Sequence, residues 1–177
     1  MVPQKFSSLS ELTIRENIGL GATYLLDRDD ENLLQREAQM LGIEKFVGLD
    51  TYLGDVDRSE KICEGEKWQR NLSGGQQQCI ALARAFIRKS AEVFILDEPS
   101  SALDPEVEHK LFDRLWRERH DRITIFVSHK LQTCRASDCI IVMDQGCIVQ
   151  AGTHSEMLSD EDSPYARLHK LQTEIWE

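Results

Sequence analysis

The segment VFILDEP, Val93–Pro99, is the clearest indication of architecture in this chain, because four apolar residues run directly into two carboxylates and a proline. An uninterrupted apolar block of this length, ended by a turn, is typical of a strand that a parallel sheet buries on both faces. Open parallel sheets bind their ligands at the carboxyl ends of the strands. The segment therefore predicts a buried strand at residues 93–96 that delivers Asp97 and Glu98 to a ligand-binding edge.

Strands and helices are predicted to alternate along the rest of the chain. Apolar runs predict two further buried strands, at residues 123–127 and 139–143, and a shorter one at 147–149 after a Gln145–Gly146 turn. Capping residues and helical apolar spacing predict helices at residues 13–18, 29–42, 73–89 and 104–120, and a helical tail at 153–176 with a break near Pro164. Residues 50–71 lack this periodicity and are interpreted as a surface loop. The alternation indicates an α/β fold built on a parallel sheet.

The composition disfavours nucleic-acid-binding, membrane-spanning, secreted and zinc-binding proteins. The 177 residues contain 21 Lys and Arg against 31 Asp and Glu, and this formal charge of −10 disfavours a nucleic-acid surface or an anionic-membrane anchor. The apolar runs are too short to span a bilayer, and the first residues lack the pattern of a secretory signal. Five cysteines without a Cys-x-x-Cys pair, and five scattered histidines, have no zinc-ligand spacing. We expect one domain, in a reducing cytoplasm, that binds no nucleic acid and does not insert into a membrane.

A second motif opens the helix predicted at residues 73–89. It is the string LSGGQ, formed by Leu72, Ser73, Gly74, Gly75 and Gln76. A hydroxyl and two glycines at a helix start let backbone N–H groups and the positive end of the helix close around phosphate oxygens. The plainer interpretation is a helix start that is merely softened by glycine. Considered with the other motifs, the string is interpreted as an anion-binding site without a lysine.

Two predicted strands end in residues with useful chemistry. In phosphoryl-transfer sites, a carboxylate in the position of Asp97 holds Mg²⁺, usually through water, and a second one in the position of Glu98 polarises the attacking water. Ser128 and His129 follow the strand at residues 123–127, where the imidazole would reach a phosphate oxygen at the same edge. Alone, an Asp-Glu-Pro segment after a strand is more often a solvated turn, and a strand-end histidine is usually just a partly exposed side chain. The hypothesis therefore depends on their combination.

In their order and spacing, these motifs resemble those of the ATP-binding cassette (ABC) ATPases, and most closely the exporter branch. The resemblance implies a signature motif at residues 72–76, Walker B at 94–97 with Glu98 as the catalytic glutamate, a D-loop at 101–104, and His129 as the switch histidine. Gln4 is similar to the Q-loop glutamine, and residues 13–18 to the exporter segment that follows it. The resemblance thus implies a catalytic Glu98 and His129, Mg²⁺ at Asp97 and Gln4, and ATP contacts from Gln4, Leu72, Ser73, Gly74, Gly75, Gln76, Ser101 and Asp104.

One motif of that family is missing from the sequence. None of the ten glycines is followed by lysine, so the P-loop pattern Gly-x-x-x-x-Gly-Lys-Ser/Thr is absent. The resemblance then implies an incomplete P-loop NTPase (RecA-like) sheet that begins mid-domain, without the N-terminal β subdomain and the P-loop strand. It places the helical subdomain at about residues 9–90 and the RecA-like remainder with C-terminal helices at about 91–177. Because the P-loop cradles the β- and γ-phosphates, we expect no ATP hydrolysis by this chain alone, and unpaired apolar edges that favour aggregation.

Three functions remain open at this stage. The resemblance favours the cassette of an exporter, at the inner face of a membrane, which pairs with a second cassette (the same or different) and with a transmembrane domain to couple ATP hydrolysis to transport. The alternative is a non-catalytic remnant or interaction module that at most completes a partner's ATP site in trans. Cysteines stand where exporters commonly have arginine, which favours the alternative, at Cys79, Cys139 and Cys147. The exporter-like residues 13–18 disfavour a free-standing repair or translation factor.

Overall fold

The computed structural model of the protein describes residues 2, 9, 12–22, 30–45, 47–53, 68–69, 72–120 and 122–174. Two compact units are distinguished, Met1–Val127 and Ser128–Glu177, and each is described by itself. The first unit contains helices α1 (Ile14–Gly19), α2 (Glu31–Met40), α3 (Gly74–Phe86) and α4 (Pro105–Arg117), a 3-10 turn at Ile43–Lys45, and strands β1 (Tyr52–Leu53), β2 (Trp68–Gln69), β3 (Val93–Asp97) and β4 (Ile123–Val127). The second contains helices α5 (Leu131–Cys134), α6 (His154–Leu158) and α7 (Pro164–Glu174), and strands β5 (Ile140–Asp144) and β6 (Cys147–Gly152).

The predicted helices of the first unit are confirmed, because capping residues mark their starts. Thr13 and Glu16 form a reciprocal capping box at α1, and Asp30 accepts a hydrogen bond from Leu33 N at the start of α2. Gly42, with φ +68°, stands two residues beyond the last residue of α2 in the left-handed conformation that glycine tolerates. Local chemistry therefore sets these helix boundaries to within a few residues of the prediction.

Strands β3 and β4 form the parallel pair that the sequence predicts. Their register aligns Val93 with Ile123 and Asp97 with Val127. On the other side of β3, Val2 N donates to Ile95 O over 2.8 Å, and Val2 O accepts from Asp97 N over 2.9 Å. Residue 2 and β4 therefore flank the strand that ends in Asp97.

The prediction that β3 and β4 are buried on both faces is wrong. Phe94 and Leu96 are 4% and 0% exposed, but Val93 and Ile95, on the opposite face of the same strand, are 47% and 40% exposed. The outward-facing Ile123, Ile125 and Val127 of β4 are also exposed. Strand side chains alternate between two faces, and the described helices of this unit cover only the inner one. An apolar run in the sequence therefore does not show whether helices cover one face of a strand or both.

The strands of the second unit form an antiparallel hairpin, so a parallel sheet is found at β3 and β4 but not here. β5 pairs with β6 from Ile140 opposite Gly152 to Asp144 opposite Cys147. Gln145 and Gly146 have φ angles of 46° and 80°, the positive pair of a tight two-residue hairpin turn, as the sequence predicts. The expectation that the strand at 139–143 is buried is wrong, since Ile141 and Met143 are exposed and Cys139 precedes the strand.

Residues 50–71 contain a short parallel strand pair where a loop is predicted. Tyr52 aligns with Trp68, and Leu53 with Gln69. Two-residue strands are too short to produce an alternating pattern, which is why periodicity misses them. Residues 54–67, 70 and 71 lie outside the described part of the chain.

A buried ion pair joins α2 to α4. The two terminal guanidinium nitrogens of Arg114, Nη1 and Nη2, donate to the fully buried carboxylate of Glu37, and Lys89 Nζ lies 3.2 Å from the same carboxylate. The Arg114 guanidinium also lies 4.0 Å above the ring of Phe86. Burial opposes the charge of Arg114, but the hydrogen bond and charge of Glu37, with Glu118, outweigh burial and raise its pKa. These contacts connect the helices to the layer that carries β3.

The C-terminal helices follow the predicted break. Thr153 and Glu156 form a capping box at α6, and Pro164 begins α7. The phenol of the buried Tyr165 lies 2.9 Å from His154 Nδ1 and joins the two helices. Burial, and then the charges of Arg135 and His169, lower the pKa of His154.

Candidate functional site

The carboxyl end of β3 presents the two predicted carboxylates in different backbone conformations. Asp97 is the last residue of the strand and is half-buried. Glu98 has a φ of 47°, in the left-handed region that non-glycine residues rarely adopt. Its N–H donates to Val127 O over 3.0 Å, and its carbonyl accepts from Ser101 N over 3.2 Å. The backbone therefore turns sharply at the residue predicted to be catalytic, a kind of strain that often marks functional sites.

The LSGGQ string forms the start of α3. Ser73 is the N-cap: its hydroxyl accepts from Gln76 N over 3.3 Å, and the Gln76 side chain accepts from Ser73 N over 2.9 Å. Leu72 is buried in the core, and Gly74 is exposed in the first helical turn. The side chains of Ser73 and Gln76 therefore cap the helix, as the interpretation of the string as an ordinary helix start predicts. N–H groups of a first helical turn have no partner within the helix and are suited to an anion.

Gly75 brings this helix start against the segment that follows the carboxylates. A β-carbon added to Gly75 would lie 2.3 Å from Ala102 O, a distance that no real side chain shows. One added to Gly74 would meet only Ala102 Cβ, at 3.9 Å. Only a glycine at position 75 lets the helix approach the backbone at residue 102 this closely.

Gln78 is a residue of this site that sequence reasoning missed. Its side chain is fully buried, and its amide makes hydrogen bonds to Glu98 O, Ser101 Oγ and Ala102 N. The sequence feature that could have identified Gln78 is its position three residues after Gly75, which places both residues on the same face of a helix. A polar residue on that face, next to a motif, was the feature to examine.

Asp104 and Ser101 lie in the same segment. One carboxylate oxygen of Asp104 accepts from Glu106 N and Val107 N, both over 3.0 Å, and so caps α4. Ser101 is exposed and accepts from Gln78. Burial, followed by the charge of Asp104, raises the pKa of the Cys79 thiol to about 11, so this thiol stays protonated at neutral pH.

Two predicted site residues lie outside the described residues of the first unit. His129 is exposed and belongs to the second unit, where its carbonyl accepts from the Gln172 side chain. Gln4 lies outside the described residues. The structure therefore brings together residues 72–78 and 97–104 within the first unit.

This cluster combines the N-terminal end of a helix, which suits an anion, with carboxylates of the type that bind a cation. Small residues open the positive end of α3, and two carboxylates stand at the end of the neighbouring strand. Comparison with known proteins matches this chemistry: the sequence model of a family described as ABC transporter covers residues 1–101, more than half of the chain. The chain belongs to the ABC transporter family.

Individual ABC proteins resemble the chain along most of its length. The subtilin transport ATP-binding protein SpaT of Bacillus subtilis is 43% identical over 148 residues, which are 84% of this chain and 23% of SpaT. An ATP-dependent lipid A-core flippase of Vibrio vulnificus is 36% identical over 165 residues, 90% of this chain and 25% of the flippase. The structure of a bacterial Atm1-family ABC exporter with ATP bound superposes with a TM-score of 0.76 and 29% identity, covering 97% of this chain and 27% of that one. The chain spans about a quarter of the length of these relatives.

Neither a membrane span nor a metal cluster accompanies the site in the described part of this ABC chain. Over the residues that the structure describes, no helix is both long and apolar enough to cross a membrane. The same residues contain no group of three or more His, Cys, Asp or Glu side chains arranged to hold a metal ion.

Proposed function

We propose that this chain is the ATP-binding cassette portion of an exporter-type ABC transporter, which couples ATP binding and hydrolysis to transport. The observation that carries the proposal is the close approach of the LSGGQ helix start to the segment after the strand-end carboxylates, where Gly75 meets Ala102. It brings the start of α3 close to the segment that follows Asp97 and Glu98, within one unit. The relatives' names, a transport ATP-binding protein and an ATP-dependent flippase, support this activity.

The residues present fit one half of an MgATP site. The first turn of α3 suits the γ-phosphate oxygens, and Ser101 and Asp104 border it. Asp97 is a carboxylate of the type that binds Mg²⁺ directly or through water, and we assign Gln4 to the same ion. In a complete site, Glu98 would polarise the attacking water and His129 would donate to a phosphate oxygen. Because these 177 residues include no P-loop, Asp97 and Glu98 have no phosphate in cis to act on, and the start of α3 is the part that would complete a partner's site.

The P-loop half of the site is not contained in these 177 residues. The sequence contains no Gly-Lys pair, and the P-loop lysine is the group that pairs with the β- and γ-phosphates. We therefore propose that ATP is held between α3 of this chain and the P-loop of a second cassette, identical or different. The same proposal pairs the chain with the transmembrane domain of an exporter at the inner face of a membrane. The chain by itself would not hydrolyse ATP.

A non-catalytic remnant or interaction module is the second candidate, and the missing Gly-Lys pair is the observation that favours it. A mixing experiment separates a chain that completes a partner's ATP site from a remnant that does not. The partner is a cassette of this family that has a P-loop but is inactivated by an aspartate in its own LSGGQ string. Neither protein alone should release phosphate from MgATP, and their mixture should do so if this chain supplies a working helix start.

The matched variants are Gly74→Asp and Ser155→Asp. Gly74 has room for a side chain, so Gly74→Asp should keep the fold, repel phosphate and abolish the activity of the mixture. Ser155→Asp adds the same charge to the exposed first turn of α6 and should leave activity unchanged. A mixture that stays inactive, although both proteins are folded, would favour the remnant. Activity of this chain alone, lost in Glu98→Gln, would refute the role given to the missing P-loop.

A further inference from the structure

The buried amide of Gln78 makes all its recorded hydrogen bonds to one short segment. Its Nε2 donates to Glu98 O over 2.9 Å and to Ser101 Oγ over 3.4 Å, and its Oε1 accepts from Ala102 N over 3.0 Å. The side chain is 0% exposed, so water does not replace a lost partner. The two donors and the acceptor of a single amide thus hold both ends of the segment 98–102.

The segment that Gln78 holds contains the strained residue. Glu98 has its φ at 47°, and such a conformation persists in a non-glycine residue only where surrounding contacts enforce it. The Glu98 carbonyl accepts from two donors, Gln78 Nε2 and Ser101 N, and the Glu98 N–H donates to Val127 O. Of these three contacts, the one from Gln78 comes from the helix that LSGGQ begins.

We propose that Gln78 is a positioning residue that fixes the backbone of Glu98 and makes α3 and the segment 98–102 move as one body. Gly75 permits α3 to approach the backbone of Ala102 closely, and Gln78, one helical turn later, holds the segment there by hydrogen bonds. A displacement of the helix start by a bound phosphate is then passed to the Glu98 carboxylate through one side chain. This inference rests on the proposed function for the roles of the helix start and of Glu98.

A structural role alone predicts something different. If Gln78 only satisfied polar groups in the core, its loss would loosen α3 and the segment together, and Glu98 would keep its conformation for as long as the protein stayed folded. The positioning role predicts a local change, with Glu98 and Ala102 affected and the rest of α3 unaffected. The two roles are therefore separated by residue-level measurements on the full chain.

The experiment follows backbone amide exchange and the Glu98 Cα chemical shift by NMR in the 177-residue chain, without nucleotide. In Gln78→Met, exchange of the Ala102 amide should become roughly tenfold faster or more, since one buried hydrogen bond is lost. The Glu98 Cα shift should leave the range of left-handed residues, while the amides of Leu82 and Ala83 in α3 stay protected. Gln77→Met is the matched control, because that amide bonds to Leu72 O and not to the segment.

A second variant keeps the test decisive if Gln78→Met folds poorly. Gln78→Glu keeps an acceptor for Ala102 N but, when ionised, cannot donate to Glu98 O. Burial raises the pKa of such a carboxyl group, so acidification should protonate it, restore the donor and return the Glu98 shift to the wild-type value at the same pH. An unchanged Glu98 shift in both variants, or equal loss of protection along all of α3, would overturn the proposal. Because no nucleotide is present, failure of the mixing experiment would not affect this result.

Discussion

Gly75 and Ala102 approach each other so closely that a single added carbon would overlap the Ala102 carbonyl oxygen, at 2.3 Å. Gly74, its neighbour in the same motif, would tolerate that carbon, with Ala102 Cβ 3.9 Å away. The two glycines of LSGGQ therefore have different functions. One makes room for the backbone of residue 102, and the other leaves the helix end exposed.

Alanine substitution should separate the two glycines. Gly75→Ala should lower the free energy of unfolding by about 1–3 kcal/mol, because the overlap forces α3 away from the segment. Gly74→Ala should lower it little or raise it by up to about 1 kcal/mol, because alanine favours a helix. Urea unfolding followed by circular dichroism measures both, and equal losses would contradict the assignment.

The strain at Glu98 should appear as a stability difference between two small residues. Glu98→Gly should be more stable than Glu98→Ala by about 1 kcal/mol, since glycine adopts a positive φ without a steric penalty. Both variants remove the carboxylate, so the comparison isolates the backbone. The same pair of substitutions at Glu108, inside α4, should show the opposite order by about 1 kcal/mol. If Glu98→Gly and Glu98→Ala unfold at the same urea concentration, the backbone at this position is not strained.

Breaking the buried ion pair of Glu37 and Arg114 should lower the free energy of unfolding substantially. Glu37→Gln removes the buried carboxylate that pairs with Arg114, which keeps only the half-buried Glu118 as a charged partner among the described residues, and should lower the free energy of unfolding by about 3 kcal/mol. Asp113→Asn breaks an exposed pair with Arg117 and should cost less than about 1 kcal/mol. Urea unfolding again measures both. Replacing the pair together, in Glu37→Leu with Arg114→Met, should recover much of the loss, and a double variant no better than Glu37→Gln would argue against this explanation.

The stability of the second unit should depend on the protonation of His154. Its pKa is lowered by burial and then by Arg135 and His169, so the unfolded chain binds the proton more tightly than the folded one. The stability from neutral His154 is therefore complete above its ordinary pKa of 6.5 and declines as the pH falls below that value. From pH 8 to 5, wild-type chain should lose more thermal stability than His154→Phe, in which nothing titrates at this position. Parallel losses in the two chains would show that His154 does not contribute.

The features that could be predicted from the sequence are those controlled by interactions between residues close together in the chain. The helix starts at Thr13, Ser73 and Asp104 were predictable because a cap and its partner lie within three residues of each other. The carboxylates at the end of β3 were predictable because an apolar run leads directly to them. Each of these signals is contained in a few consecutive residues.

Features that depend on distant residues were not predictable. Leu96 and Ile95 are both strongly apolar, but Leu96 is buried and Ile95 is exposed. The sequence does not show whether helices cover one face of the strand or both. The role of Gln78 depends on partners 20 to 24 residues away. Similarly, Gly75 differs from Gly74 only because of where Ala102 lies.

The pairing of Glu37 with Arg114 also has a consequence during synthesis, because 77 positions separate the two residues. A ribosome must add that whole length after Glu37 before its carboxylate can meet the guanidinium, a delay of several seconds at about 5–20 residues per second. Before Arg114 is made, docking of α2 would bury the Glu37 carboxylate with the exposed Lys89, and not Arg114, as its ionic partner. The nascent chain therefore reaches its final charge balance around Glu37 only after Arg114 has been made.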